Sequence, residues 1–270
     1  MKFGKPWSRD ELIIAMNLYC KLPFGQLHSK TPIIIKVAQR LGRTPSSLAM
    51  KLVNFASLDP VQQARGIQGL RGASKADRAI WEEFFTNLEE LGVESEERFQ
   101  ELFENAIPEE YQLPRQGKSK KLIAIKTPRS QPNGSTEVEV TVKARVGQKF
   151  FRQTILSAYG LRCCITGNPI LELLVASHIL PWSEYPEHRL NPHNGLCLAR
   201  TQDAAFDEGL ITFDENYRLV LSPYIEDFLP DETLERNFVA YRGQPMRLPE
   251  KFQPNSDFLR YHREEIFISA

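Results

Sequence analysis

The stretch Cys164–Asp214 decides how the chain is read. It runs C-I-T-G-N-P-I-L-E-L-L-V-A-S-H-I-L-P-W-S over 164–183, crosses a polar loop, and continues R-L-N-P-H-N-G-L-C-L-A-R-T-Q-D-A-A-F-D-E-G-L-I-T-F-D over 189–214. Val175, Ile179 and Leu180 form a short apolar run that Pro181 ends, which places His178 near the end of a strand. Asn194-Gly195 opens a second apolar run, Leu196-Cys197-Leu198. From Arg200 to Phe206 the spacing is helical, with Ala205 and Phe206 available to pack and Gly209 as the stop. The expected order is strand, loop, strand, helix, with His178 on the first strand, Asn194 at the start of the second and Asp203 on the helix.

In their order and spacing, the phrases S-H-I-L-P-W, N-P-x-N-G-L-x-L and F-D-x-G-L-I-T-F-D resemble the HNH endonuclease family, in its bacterial restriction or host-defence branch. The resemblance covers about fifty residues. It implies a ββα-metal core in which His178 is the general base, Asn194 holds the loop that orients it, and Asp203 binds a divalent metal. Ser177 stands where many members carry a metal-ligating Asp or His, a departure in the ligand set. Asp207 is a second ligand, an orienting group, or a helix-end carboxylate bonding local backbone. A phosphate-binding Arg is implied, with Arg189 and Arg200 the nearest candidates. The helix Q-K-F-F-R before Y-G-L-R-C-C-I-T-G extends the likeness and would bring Lys149 and Arg152 close to the cleaved strand.

These residue types suit phosphodiester hydrolysis. Histidine titrates near neutral pH and can take a proton from water. An oxygen-rich site with few ligands suits Mg²⁺ or Mn²⁺, which relieve charge on the phosphate and the leaving oxygen. His193 is a weaker candidate, and His28, His188 and His262 read as surface residues. The four cysteines include no C-x-x-C pair, so no structural zinc is expected, and they read as buried, reduced thiols of a cytoplasmic protein. No apolar run approaches the roughly 20 residues of a membrane helix, and the first residues show no signal-peptide core.

Composition is that of a globular chain, 41% hydrophobic and 25% charged. The formal net charge of zero hides a segregation. Residues 1–58 hold nine Lys/Arg against two acidic residues, net +7; 77–110 hold twelve Asp/Glu against two Arg, net −10; 115–152 hold ten Lys/Arg against two Glu, net +8. This pattern suggests two nucleic-acid-facing surfaces with a spacer between them.

Ser8 with Glu11 three residues on is a capping box. Thr31-Pro32 and Thr44-Pro45 each start a further helix, with Gly42 between them. Two short helices so joined resemble a helix-turn-helix in which Ser46, Ser47, Lys51 and Asn54 face outward and Arg43 and Lys51 meet phosphate or a base edge. The alternative is a three-helix bundle that docks on a partner. Residues 111–136 read as a basic linker, Glu137–Val142 as a strand by its alternation, and the tail after Asp214 as a cover for the back of the sheet.

The chain is therefore expected to be α+β: a helical, DNA-binding or oligomerisation domain over 1–110, a linker over 111–136 and an HNH nuclease domain over 137–270. The expected partner is double-stranded DNA, and cutting of both strands implies a homodimer. Two alternatives are a DNA-binding regulator with an inactive core and a nuclease gated by a partner protein or small signal.

Overall fold

The structure, a computed structural model, describes residues 5–64, 66, 73–103 and 135–269, with 135–142 as backbone only. The expected linker lies outside the described residues up to position 134. The fold is α+β, with helices gathered toward the N-terminus and small antiparallel sheets near the C-terminus.

The helix α1 (Arg9–Lys21) is largely apolar, and every residue from Glu11 to Cys20 is buried, Glu11 and Asn17 included. A helix of that character has to be surrounded. It is packed against α3 (Pro45–Ala56), α5 (Lys75–Thr86) and α6 (Leu88–Leu102), while α2 (Pro32–Leu41) lies on α3 and α6 and the short α4 (Pro60–Ala64) follows α3. The starts read from sequence are present. Ser8 and Glu11 form the capping box, Thr44 accepts from the Ser47 N–H, and Gly42 closes α2 at φ 68°.

The helix α7 (Ser135–Ala158) replaces the strand expected at Glu137–Val142. The alternation of Val with Glu and Thr mimics a strand period. The residues instead extend a helix nucleated downstream, where Phe150, Phe151, Ile155 and Leu156 are all buried. Adding a turn to an existing helix is far easier than starting one. One part of α7 packs on α1 and α6, and another on the first β-sheet.

That sheet pairs β1 (Leu174–His178) antiparallel with β2 (Gly195–Ala199), placing His178 opposite Gly195. The helix α8 (Arg200–Asp207) follows and stops at Gly209, φ 69°. A second pair, β3 (Ile211–Phe213) and β4 (Leu219–Leu221), leads into α9 (Pro223–Glu226), α10 (Glu232–Asn237) and α11 (Ser256–Tyr261).

The tail does more than cover the sheet. Arg247 N–H donates to Cys164 O, Glu250 N–H to Ala158 O and Ile268 N–H to Gly209 O. Lys251, fully buried, donates to the carbonyls of Tyr19, Cys20 and Leu22 and so caps the C-terminal end of α1.

Among the described residues, parts of the charge blocks pair with one another, which takes several cations of the first block away from a nucleic-acid-facing surface; most of the third block lies outside the described residues. Arg9 pairs with Glu83 and Glu94, Lys21 with Glu96, and Lys51 with Asp77. Lys149, from the third block, also reaches Glu96. The outward-facing set on α3 is corrected as well. Asn54 is buried against Asp77, and Lys51 is nearly so. Arg43 is buried too, bonded to the Glu11 carboxylate and the carbonyls of Lys5 and Pro6. Ser46 does face solvent.

Candidate active site

His178 ends β1, and α7 comes right up to it. A Cβ on the facing Gly195 would lie 2.3 Å from Ile155 Cδ1 and 2.9 Å from Phe151 Cζ, so only glycine admits that approach. The Phe151 ring stacks on the imidazole at 4.1 Å between centroids and 9° between planes, and Trp182 stands edge-on at 5.2 Å. His178 Nε2 lies 2.8 Å from Arg189 O. A carbonyl can only accept, so Nε2 carries the proton and donates. Nδ1 is then the basic nitrogen of the neutral ring. Burial pushes the pKa of His178 below the ordinary imidazole value, with the Arg189 carbonyl pulling the other way.

Asn194 is buried and ties together two points of the loop that follows the histidine. Its Oδ1 accepts from Leu180 N–H at 2.8 Å, and its Nδ2 donates to His188 O at 3.1 Å.

Asp203 and Asp207 lie one helical turn apart on α8, on one face. They line the same cleft as Ser177 and His178, a space of about 360 Å³ closed by Trp182, Phe206, His262 and Ile266. Asp207 is pushed up to about 6, by burial first and then by the charges of Asp203 and Glu208. Asp203 is also raised by burial, with Ser177 and Arg200 opposing. Ser177 Oγ is buried beside Asp203.

Two crowded carboxylates and the buried Ser177 hydroxyl beside them form a hard-oxygen donor set, which fits a small divalent cation. Among the described residues no group of three His, Cys, Asp or Glu converges. The protein's share of such a site is therefore small, as is usual where phosphate and water complete the coordination.

The sequence misplaces His262. It is buried, stacks on Phe206 at 3.7 Å, donates from Nε2 to Phe206 O and accepts at Nδ1 from the Thr212 hydroxyl. Both ring nitrogens are used, so it shapes the cleft wall from the tail. Its pKa is lowered to about 4, by burial first and with a smaller push from Arg263; the Phe206 carbonyl opposes. Between pH 6.5 and about 4 the unfolded chain binds this proton and the native chain does not, so native stability falls as pH falls through that window. Denaturant titrations should show about 3 kcal/mol of acid destabilisation in wild type that is missing in His262→Phe. Parallel pH curves for the two proteins would contradict this.

The remaining cations are held in different ways. Arg189 donates from Nε to Trp182 O and lies over the Trp182 ring. Arg200 is exposed, its Nε on Glu172 O, and its charge reaches Asp203. Arg152 grips Leu171 O and Leu174 O and braces the start of β1. Lys149 faces Glu96 in the helical region. His193 bonds Gln253 O and anchors the tail. Phe151 and the Arg189 carbonyl are the contributors that sequence reasoning missed. The one signal near Phe151 is the helix Q-K-F-F-R, which offers only Lys149 and Arg152 as candidates.

Residues 163–214 match the family model described as HNH endonuclease. No curated protein matches the chain. Among the described residues no helix is long and apolar enough to cross a membrane. The match supports a nuclease of the HNH type.

Proposed function

We propose that the chain is a metal-dependent endonuclease that hydrolyses DNA phosphodiester bonds in the cleft between β1 and α8. One observation carries this reading. A single cleft is lined by a histidine whose Nε2 is committed to a carbonyl and by an i,i+4 carboxylate pair beside the buried Ser177 hydroxyl.

Ser177, Asp203 and Asp207 would hold Mg²⁺ or Mn²⁺. When bound, the cation supplies Lewis-acid relief of charge at the scissile phosphate and the leaving oxygen. His178 Nδ1 takes the proton of the attacking water, as a new O–P bond forms and the bond to the leaving oxygen breaks. Asn194 keeps β1 and its loop in register. Arg200, exposed beside Asp203, is the cation best placed to meet a phosphate. One such site cuts one strand, so a double-strand break takes two copies. Restriction or host defence is the setting that the resemblance suggests.

The N-terminal helices commit Lys21, Arg43 and Lys51 to internal pairs. That favours the variant in which these helices dock a protein or signal and gate the nuclease, over one in which they read DNA.

Mn²⁺ titration calorimetry on the full chain tests the ligand set. Asp203→Asn should weaken binding by about tenfold or more, the usual scale for altering a metal's carboxylate shell. Superimposable isotherms for wild type, Asp203→Asn and Asp207→Asn would place the metal elsewhere.

A further inference from the structure

We propose that Glu89, on α6, is a positioning residue for the His178 chemistry, acting through the peptide between Arg189 and Leu190. This rests on the reading of His178 as the general base.

The two ends of that one peptide are gripped from opposite sides. Its carbonyl, Arg189 O, accepts from His178 Nε2 at 2.8 Å. Its N–H, on Leu190, donates to Glu89 Oε1 at 2.5 Å. A peptide is a rigid plane, so fixing the N–H fixes the carbonyl. A carboxylate on the N–H also polarises the amide and makes the carbonyl a stronger acceptor. The arrangement is carboxylate, peptide, imidazole in line. It favours the tautomer with hydrogen on Nε2 and leaves Nδ1 to take the proton. It also stabilises the imidazolium that forms during turnover.

The surrounding packing holds the peptide in place. Leu190 is 2% exposed, and its side chain fills the gap between α6 and α7. A Cβ on Gly92 or on Gly147 would come within 3.0 Å of it, so both glycines make room for this one leucine. The preceding carbonyl, His188 O, is held by Asn194. Asn194 and Glu89 therefore clamp adjacent peptides of the loop, one from the matched segment and one from the N-terminal helices. In this way the helical region reaches the reacting histidine. A partner that shifted α6 would alter Arg189 O and, through it, His178.

The test uses the full chain, duplex DNA and Mg²⁺. Glu89→Leu removes the acceptor, Glu89→Gln keeps an acceptor oxygen without the charge, and Glu90→Ala alters an exposed neighbour. Single-turnover rates are read beside the ¹⁵N shifts of the His178 ring, assigned with His178→Ala. Wild type should show hydrogen on Nε2. Glu89→Leu should cut about tenfold or more slowly, the scale of one charge-assisted hydrogen bond, at nearly unchanged KM and with a mixed tautomer. Glu89→Gln should fall between, about threefold down, and Glu90→Ala should match wild type.

Wild-type rate and an Nε2–H ring in Glu89→Leu would overturn the proposal. So would an Nδ1–H ring in wild type. If Glu89→Leu does not fold, Glu89→Gln decides, because an unchanged rate and unchanged ring shifts there would overturn it equally. Unimpaired cleavage by His178→Ala would instead overturn the general-base reading, and the ring shifts would still report on the Glu89 contact.

Discussion

His178→Ala will slow DNA cleavage by about a hundred- to ten-thousandfold and leave the fold standing. The rate effect is the loss of a base whose tautomer the Arg189 carbonyl already selects. The structural effect is smaller. The stacked face of Phe151 is uncovered and Arg189 O loses its donor, together about 2–4 kcal/mol against a typical 5–15 kcal/mol of native stability. KM should barely move, because the ring meets water and not the DNA backbone. Single-turnover cleavage beside a thermal melt measures both effects. A rate within a few-fold of wild type, in a folded protein, would remove His178 from the chemistry.

Asp77→Ala will destabilise the chain by about 3–5 kcal/mol, the scale for breaking a buried ion pair from one side. Asp77 is fully buried. It accepts from Lys51 Nζ at 2.7 and 3.0 Å, from Asn54 Nδ2 at 3.0 Å and from the Ser74 N–H at 2.9 Å. Burial works against its ionisation, but Lys51 and the Ser74 backbone outweigh it and hold the pKa below the usual carboxylate value. A depressed carboxylate contributes stability above its unfolded pKa and loses it as pH falls through the folded one. The wild-type advantage over Asp77→Ala should therefore shrink in acid. Urea denaturation at neutral and acid pH measures this. A neutral-pH loss below about 1 kcal/mol, with a changed salt slope for DNA binding, would return Lys51 to a phosphate-facing role.

That second prediction also marks where the sequence stops being readable. The strand, loop, strand and helix around His178, Asn194 and Asp203 were legible because each element's signals lie within a few residues: the apolar run to Pro181, Asn194-Gly195, and the stop at Gly209. The caps at Ser8, Thr31 and Thr44 were legible for the same reason. The pairing of Lys51 with Asp77 was not, because charge counted block by block does not say which blocks fold together. Glu137–Val142 misled because period-two patterning over six residues is overruled when a longer helix runs through it. His262 and Glu89 gave no signal, since what each one does is set by a chain segment more than fifty residues away that local patterning cannot see.

The most direct measurement is cleavage of supercoiled plasmid by the full chain in Mg²⁺ or Mn²⁺, in EDTA, and in EDTA overcome by excess cation. Nicked or linear DNA should form with either cation, disappear in EDTA and return when the cation is restored. Intact plasmid under every metal, or cleavage that EDTA leaves untouched, would contradict a metal-dependent nuclease in the cleft of His178, Asp203 and Asp207.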